Sequence, residues 1–557
     1  MKVNRHLLAI ISLFIISLAF RFIPLMFSNL PFNIDGFPLV RISEDIIESG
    51  HWSLSYPEGT SELAIYNAKM PIFSILISIF SIVFGKSPLE IVQVLMPFMS
   101  STAVILIYFI AFKITKNQLV SFFAGLALAL NGLYVYFGAA VMKETLGLVL
   151  LILAVYLYYT REDLRKRIMA SVLILILPLT HHLTAWICFI MVSLLMLSSN
   201  ALHWNRGTFK RNRFAIDFFS GPFLFIFTVL YYEAVDLAFF NRISGINDIA
   251  LFSSVFILGA IFSIMFSLPK KKIKPVKVII NKTAIVPIIG FGLLVLNHYK
   301  RIFPGTIHTT TPFLIYFLPY LLLISIAVIG LNVVAKRKTE HRPLVAALIL
   351  APFIVIIYAL VKSLDAFTFM LIYRSYDYID FGLAICTGIG AGYIINRIVK
   401  ILFKKKEPSK TTFGLKAVLS IIFILICLST VPLAYNGQEF FGVQDATYDH
   451  EFEAMNWLDE NIPKQEIESD ERLCDIIDPY FDLKCDKTLP LKLKWGKSLD
   501  RESVLLMEDK WKDYGAQMSP MEPKVISQKT FDNTIGENNL IYNTGGYGSQ
   551  IFIVKVR

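Results

Sequence analysis

Long apolar runs separated by short polar, often basic breaks dominate the chain from residue 7 to residue 435. A helix needs about 20 apolar residues to cross the hydrocarbon core of a bilayer. The pattern predicts thirteen crossings, at 7–27, 89–112, 118–139, 144–160, 168–181, 183–199, 215–233, 247–268, 283–298, 312–334, 344–362, 380–396 and 416–435. The fifth and sixth are short and meet at Thr180-His181-His182. A further apolar run, 71–85, is bounded by Pro71 and Gly85 and is too short to cross, so it reads as an interfacial or re-entrant helix.

Composition agrees with a chain that lives mostly in lipid: 55% of residues are hydrophobic and 17% charged, with a mean hydropathy of +0.60. A soluble protein carries about 25% charged residues. The net charge of +11 is a topology signal once it is mapped onto loops. With the N-terminus inside and 71–85 not crossing, the inner loops collect Lys113 and Lys116, Arg161–Arg167, Arg206–Arg213, Lys270–Lys277, Lys336–Arg342 and Lys404–Lys406. The outer loops hold only scattered bases, such as Arg41, Lys69, Lys143 and Arg374. This positive-inside bias leaves nucleic-acid binding no part in the reading. The N-terminus is cytoplasmic on this count, and its first span lacks a small-residue cleavage site, so it reads as a retained helix.

Residues 1–435 therefore read as the membrane domain, with a first outer loop at 28–88, and 436–557 as an extracytoplasmic soluble domain. The tail alternates short apolar and charged runs and ends in two strand-like stretches around Thr544-Gly-Gly-Tyr-Gly548, a hairpin signal inside a small α/β domain. Cys188, Cys386 and Cys427 fall in apolar spans, where a small buried hydrophobe is the default. Cys474 and Cys485 lie together in the tail, and an oxidising location favours a disulfide between them.

The spans carry almost no ionisable residue at mid-depth. Asp35, Arg41, Glu44, Lys69, Lys143, Glu144, His181, His182 and Arg374 gather instead at their outer ends. Ion- and proton-driven transporters need acids or bases within the bilayer, so this one-sided set points to chemistry at the outer surface. A lipid-linked glycan flippase or transporter is the reading it competes with; a catalytically silent scaffold is a third.

The stretch Asp35-Gly-Phe-Pro-Leu-Val-Arg41-Ile-Ser-Glu44, with Gly50 beyond it, resembles the first outer loop of the oligosaccharyltransferase catalytic subunit. Glu144, in Val-Met-Lys-Glu-Thr-Leu-Gly, resembles the acidic motif of that family's second outer loop. Arg374, in Leu-Ile-Tyr-Arg-Ser-Tyr-Asp, resembles the late outer-loop Arg that contacts the lipid-linked phosphate, and Glu453–Pro463 resembles the start of the family's outer domain. Acceptor-side features are missing. Where a Trp-Trp-Asp-Tyr-Gly motif should stand the chain reads Ser469-Asp-Glu-Arg-Leu-Cys-Asp475, and Lys510-Trp-Lys-Asp-Tyr-Gly515 is an echo placed too late. The fifth outer loop, 297–311, is short and has no carboxylate. Donor-side likeness without acceptor-side likeness is similar to the wider GT-C superfamily, whose members take sugars from polyprenyl phosphates.

The resemblance implies an inverting membrane glycosyltransferase. It would move a hexosyl or glycan group from a polyprenyl- or dolichyl-phosphate donor to a protein, glycan or lipid acceptor among the membrane lipids. A divergent oligosaccharyltransferase is the alternative within that class. Asp35 and Glu144 are the expected catalytic carboxylates, and both could hold Mg or Mn. Arg374 and Arg41 are the expected ligands of the donor phosphate, because a permanent planar cation suits that group. Bland readings stand beside these. Asp35 could cap a helix, Arg41 could pair with Glu44 or Asp45, Lys143 and Glu144 could be an interfacial anchor and cap, and the two histidines could simply complete a turn.

Overall fold

The computed structural model describes residues 5–55, 60–269, 279–300, 309–337, 339–363, 365–403, 410–441, 443–462, 465–518 and 521–557. The basic residues Lys270–Lys277, Lys338 and Lys404–Lys406, and 301–308 of the expected fifth outer loop, lie outside the described residues. Every expected crossing contains helix. Among the described residues, eight helices are long and apolar enough to cross a membrane, and up to ten if each bent pair counts as one. The protein is a multi-pass membrane protein.

The difference from thirteen has local causes. The expected span 118–139 is two helices, Gln118–Ala129 and Gly132–Ala139, bent by 62°. The Asn131 side chain accepts from the Leu133 N–H and starts the second helix at the break. The expected span 168–181 stops as a regular helix at Ile176, and Pro178 sits in a single 3-10 turn before His182 opens the next helix. The run 71–85 forms the helix Ile72–Phe84, 13 residues long, or roughly 20 Å at 1.5 Å per residue. It meets Glu62–Ala68 at 82°.

The largest correction concerns the span placed at 380–396. The helix runs from Ala366 to Leu402, 37 residues, and carries Arg374, Asp377 and Asp380 on its first half. Asp377 and Asp380 are 2% and 0% exposed, so ionisable groups do enter the bundle. The Tyr320 hydroxyl donates to Asp380 at 2.8 Å. Farther along, Thr387-Gly-Ile-Gly-Ala-Gly392 lets neighbouring helices approach closely: a Cβ on Gly390 would lie 2.0 Å from the Ile326 carbonyl oxygen. Small residues serve this purpose where helices pack in lipid.

Residues beyond the last apolar helix build a second core. Strands β1 (Ile467–Glu468), β2 (Cys485–Asp486), β3 (Val504–Glu508), β6 (Asn539–Gly546) and β7 (Ser549–Lys555) form a sheet ordered β2-β1-β3-β7-β6. Strands β4 (Ala516–Met518) and β5 (Met521–Lys524) pair separately. β1 is parallel to β2 and β3, whereas β7 is antiparallel to β3 and β6. The expected terminal hairpin is β6–β7. Tyr547 and Gly548 turn it with φ of 50° and 71°, the left-handed pair that a tight hairpin requires. Cys474 and Cys485 form a disulfide that ties the helix Glu471–Phe481 to β2.

The first loop packs on this module. Leu30 and Phe37 belong to its hydrophobic cluster, and Phe37 stacks on Phe452 and meets Tyr480 edge-on. Asp35, two residues before Phe37, is thereby fixed between the membrane bundle and the C-terminal module.

Candidate active site

Asp35 stands on a built turn. Asn33, at φ 86°, accepts from the Asp35 N–H with its side-chain oxygen at 3.0 Å and gives its own N–H to the Asp445 carbonyl at 3.0 Å. Asparagine tolerates that left-handed backbone. Asp445 Oδ1 accepts from the Tyr136 hydroxyl at 2.7 Å and from Asn33 Nδ2 at 3.4 Å. Burial pushes the Asp445 carboxyl up to about 6, although these two donors oppose the rise. Gly36 completes the turn: a Cβ there would meet Pro31 at 2.6 Å and Val141 at 2.9 Å. Asp35 occupies the N-cap position of the helix Gly36–Ser49 yet makes no side-chain capping bond. Its carboxylate is 45% exposed.

Arg374 joins the distant acids. One guanidinium nitrogen lies 2.8 Å from Glu144 Oε2, and the other lies 3.6 Å from Asp35 Oδ2. Glu144 comes from the first turn of the helix Lys143–Tyr159, where a carboxylate also favours the helix dipole. Its side chain is 2% exposed, against 25% for Arg374. Arg374 additionally touches the Met142 sulfur at 3.3 Å. Asp35, Glu144 and Arg374, spread over 340 residues of sequence, therefore converge.

Arg41 is placed elsewhere. It sits farther along its helix and pairs with Asp45 at 3.4 Å and Asp482 at 3.3 Å, both exposed contacts. Its partners tie the first loop to the C-terminal module. Glu44 accepts from the Tyr480 hydroxyl at 3.3 Å and serves the same seam.

The two histidines line the back of the site. His181 Nδ1 is 2.8 Å from the Thr184 hydroxyl, and His182 Nδ1 is 3.0 Å from the Tyr66 hydroxyl. Lys143, between Met142 and Glu144, is buried with its ammonium 4.9 Å from the centre of the Tyr66 ring. Sequence reasoning placed Lys143 at a membrane interface and overlooked Asp445, which has no motif around it.

A divalent cation was an expectation for Asp35 and Glu144, and the donor set does not fit one as arranged. Arg374 bridges the two carboxylates, and among the described residues no group of three or more His, Cys, Asp or Glu side chains gathers where a metal could sit.

No family model matches the chain, and no curated protein matches it in sequence. Solved structures do. The archaeal oligosaccharyltransferase AglB from Archaeoglobus fulgidus, in complex with an inhibitory peptide and a dolichol-phosphate, superposes with a TM-score of 0.54 at 12% identity, covering 92% of this chain and 70% of that one. The fold is of the GT-C type. Two looser likenesses are ArnT from Cupriavidus metallidurans bound to undecaprenyl phosphate (TM-score 0.41, 12% identity, 98% and 97% covered) and the mycobacterial arabinofuranosyltransferase AftD (TM-score 0.46, 11% identity, 100% and 42% covered).

The segment that follows β1 packs into the core of the C-terminal module. Arg472 is buried and pairs with both Glu451 oxygens, at 3.1 and 3.0 Å, and with Glu508 at 2.7 Å. The Asp470 side chain accepts from the N–H groups of Leu473 and Gln517. Two carboxylates share one guanidinium in this core, and burial pushes the Glu508 carboxyl up to about 7 despite Arg472. Trp511 of the late Lys510–Gly515 echo is 1% exposed and also belongs to the core.

Proposed function

We propose that this chain is a membrane glycosyltransferase that moves a sugar from a polyprenyl-phosphate donor to an acceptor at the outer membrane face. The observation that carries the reading is the convergence of Asp35, Glu144 and Arg374 beside a GT-C bundle. Their environments assign them different work. Asp35, 45% exposed and uncapped, is open to an acceptor and takes its proton. The acceptor's freed lone pair attacks the anomeric carbon, and the carbon–oxygen bond to phosphate breaks. The bonding electrons leave with the polyprenyl phosphate, and in-line attack inverts the anomeric centre.

Glu144, 2% exposed and bound to Arg374, cannot reach an acceptor and acts as a positioning residue. It holds the guanidinium toward the leaving phosphate, where fixed positive charge contributes most as negative charge develops. The acceptor is a glycan or lipid on this reading, since the Ser469–Arg472 segment is committed to the module's own core. The same reading puts the N-terminus in the cytoplasm and the C-terminal module outside.

The test incubates purified protein in nanodiscs with labelled polyprenyl-phosphate sugars and follows release of the polyprenyl phosphate. Release by wild type and its loss in Asp35→Asn support the proposal. A wild type that consumes no donor, with a glycan and a lipid acceptor each supplied, contradicts it.

A further inference from the structure

Arg374 is the obvious cation for a leaving phosphate, but its charge is already shared between Glu144 and Asp35. Lys143 is in the opposite condition. The residue is 8% exposed, and its ammonium has no hydrogen-bond or ion-pair partner among the described residues. A buried ammonium left unpaired is unfavourable, and an anionic ligand placed against it would relieve that cost. Its neighbours agree. The face of the Tyr66 ring lies 4.9 Å away, the Tyr66 hydroxyl is positioned by His182, and Asp35 is within electrostatic reach. Residues on either side of Lys143, Met142 and Glu144, both touch Arg374, and His181 and His182 lie within electrostatic reach of both cations.

We propose that the Lys143 ammonium, in the role a divalent cation would otherwise fill, receives the phosphate of the lipid-linked donor beside Arg374. The inference rests on the polyprenyl-phosphate reading above and goes beyond it, because it makes the site's positive charge internal to the chain. The charges account for this choice. Two carboxylates bridged by one guanidinium leave a net negative site that would repel a phosphate, and Lys143 cancels that charge. A compact ammonium is also a suitable point charge for a phosphate oxygen. Arg374 then organises the acids while it faces the phosphate, and Lys143 supplies the second positive charge.

The experiment measures binding of undecaprenyl phosphate to the full-length protein in nanodiscs, with and without EDTA. Undecaprenol, which lacks the phosphate, and inorganic phosphate serve as parallel probes. Wild type should bind undecaprenyl phosphate equally well in EDTA. Lys143→Met should bind it about 10-fold or more weakly, as expected for loss of a charge-assisted contact, while binding undecaprenol like wild type. Lys143→Arg should recover most of the affinity.

Equal binding by Lys143→Met and wild type overturns the inference and leaves the donor reading intact. So does a wild type whose binding EDTA abolishes, and that arm decides the matter even where a Lys143 variant fails to fold. Displacement by inorganic phosphate at concentrations matching the lipid would assign the pocket to free phosphate and overturn the lipid source. A wild type that binds no undecaprenyl phosphate in any arm refutes the donor reading itself.

Discussion

Replacing Arg374 with Met separates the two acids that the guanidinium bridges. Glu144 is 2% exposed and 2.8 Å from Arg374, so Arg374→Met strands a buried carboxylate. Breaking such a pair costs about 3–5 kcal/mol, mostly as the penalty of the charge left behind. Asp35 is 45% exposed and 3.6 Å away. Water can solvate it once the partner is gone, and an exposed pair of this kind contributes about 0–1 kcal/mol. Nearly all of the loss should therefore pass through Glu144. The assay is unfolding of the purified protein in mixed micelles, comparing Arg374→Met alone with the same variant carrying Glu144→Gln or Asp35→Asn. Glu144→Gln should restore most of the stability and Asp35→Asn almost none. Rescue by Asp35→Asn, or an Arg374→Met variant as stable as wild type, would refute the reasoning.

Three further outcomes can be checked alongside it. Asp35→Asn keeps the shape of the side chain and removes its charge, so turnover should fall by about 10²-fold or more while donor-lipid binding stays near wild type; full activity would rule out Asp35 as the base. Glu508 keeps its proton to about pH 7 in the folded module, whereas an unfolded Glu releases it near pH 4.3, roughly its ordinary value. The native state thus binds the extra proton between those limits, and stability should decline as pH rises from about 5 to about 7. Glu508→Gln should reduce that decline, leaving the part that Asp445 contributes, as read from tryptophan fluorescence during unfolding at several pH values; an unchanged slope would contradict the assignment. Reducing Cys474–Cys485, which closes a short loop of sequence separation 11, should destabilise the module by about 2–4 kcal/mol, and melting curves with and without reductant measure it.

Much of this architecture was legible in the sequence, because a chain that crosses lipid must satisfy its backbone within helices and therefore writes long apolar runs. The terminal hairpin was legible for a similar reason, since Tyr547-Gly548 is suited to a left-handed turn. The helix Ala366–Leu402 was half hidden. Arg374, Asp377 and Asp380 depress the hydropathy of its first half, yet the two aspartates are buried inside the protein. Asp35, Glu144 and Arg374 each stood out as polar islands, but their meeting depends on contacts spanning 230 residues or more, which no local pattern encodes. The pairing of Arg41 was equally illegible: Asp482 comes from a module 441 residues away in sequence. Lys143 was concealed by its ordinary appearance as a basic residue at the end of a span. Asp445 and the Glu451–Arg472–Glu508 core had no signal at all, because pairing among buried charges is decided by tertiary packing.

The most direct measurement is an experimental structure of the full-length protein in nanodiscs with undecaprenyl phosphate bound. The phosphate should lie in contact with Arg374 or Lys143, on the side where Asp35 is exposed, with the lipid tail running down the bundle. A phosphate bound away from Asp35, Glu144 and Arg374 would contradict the account.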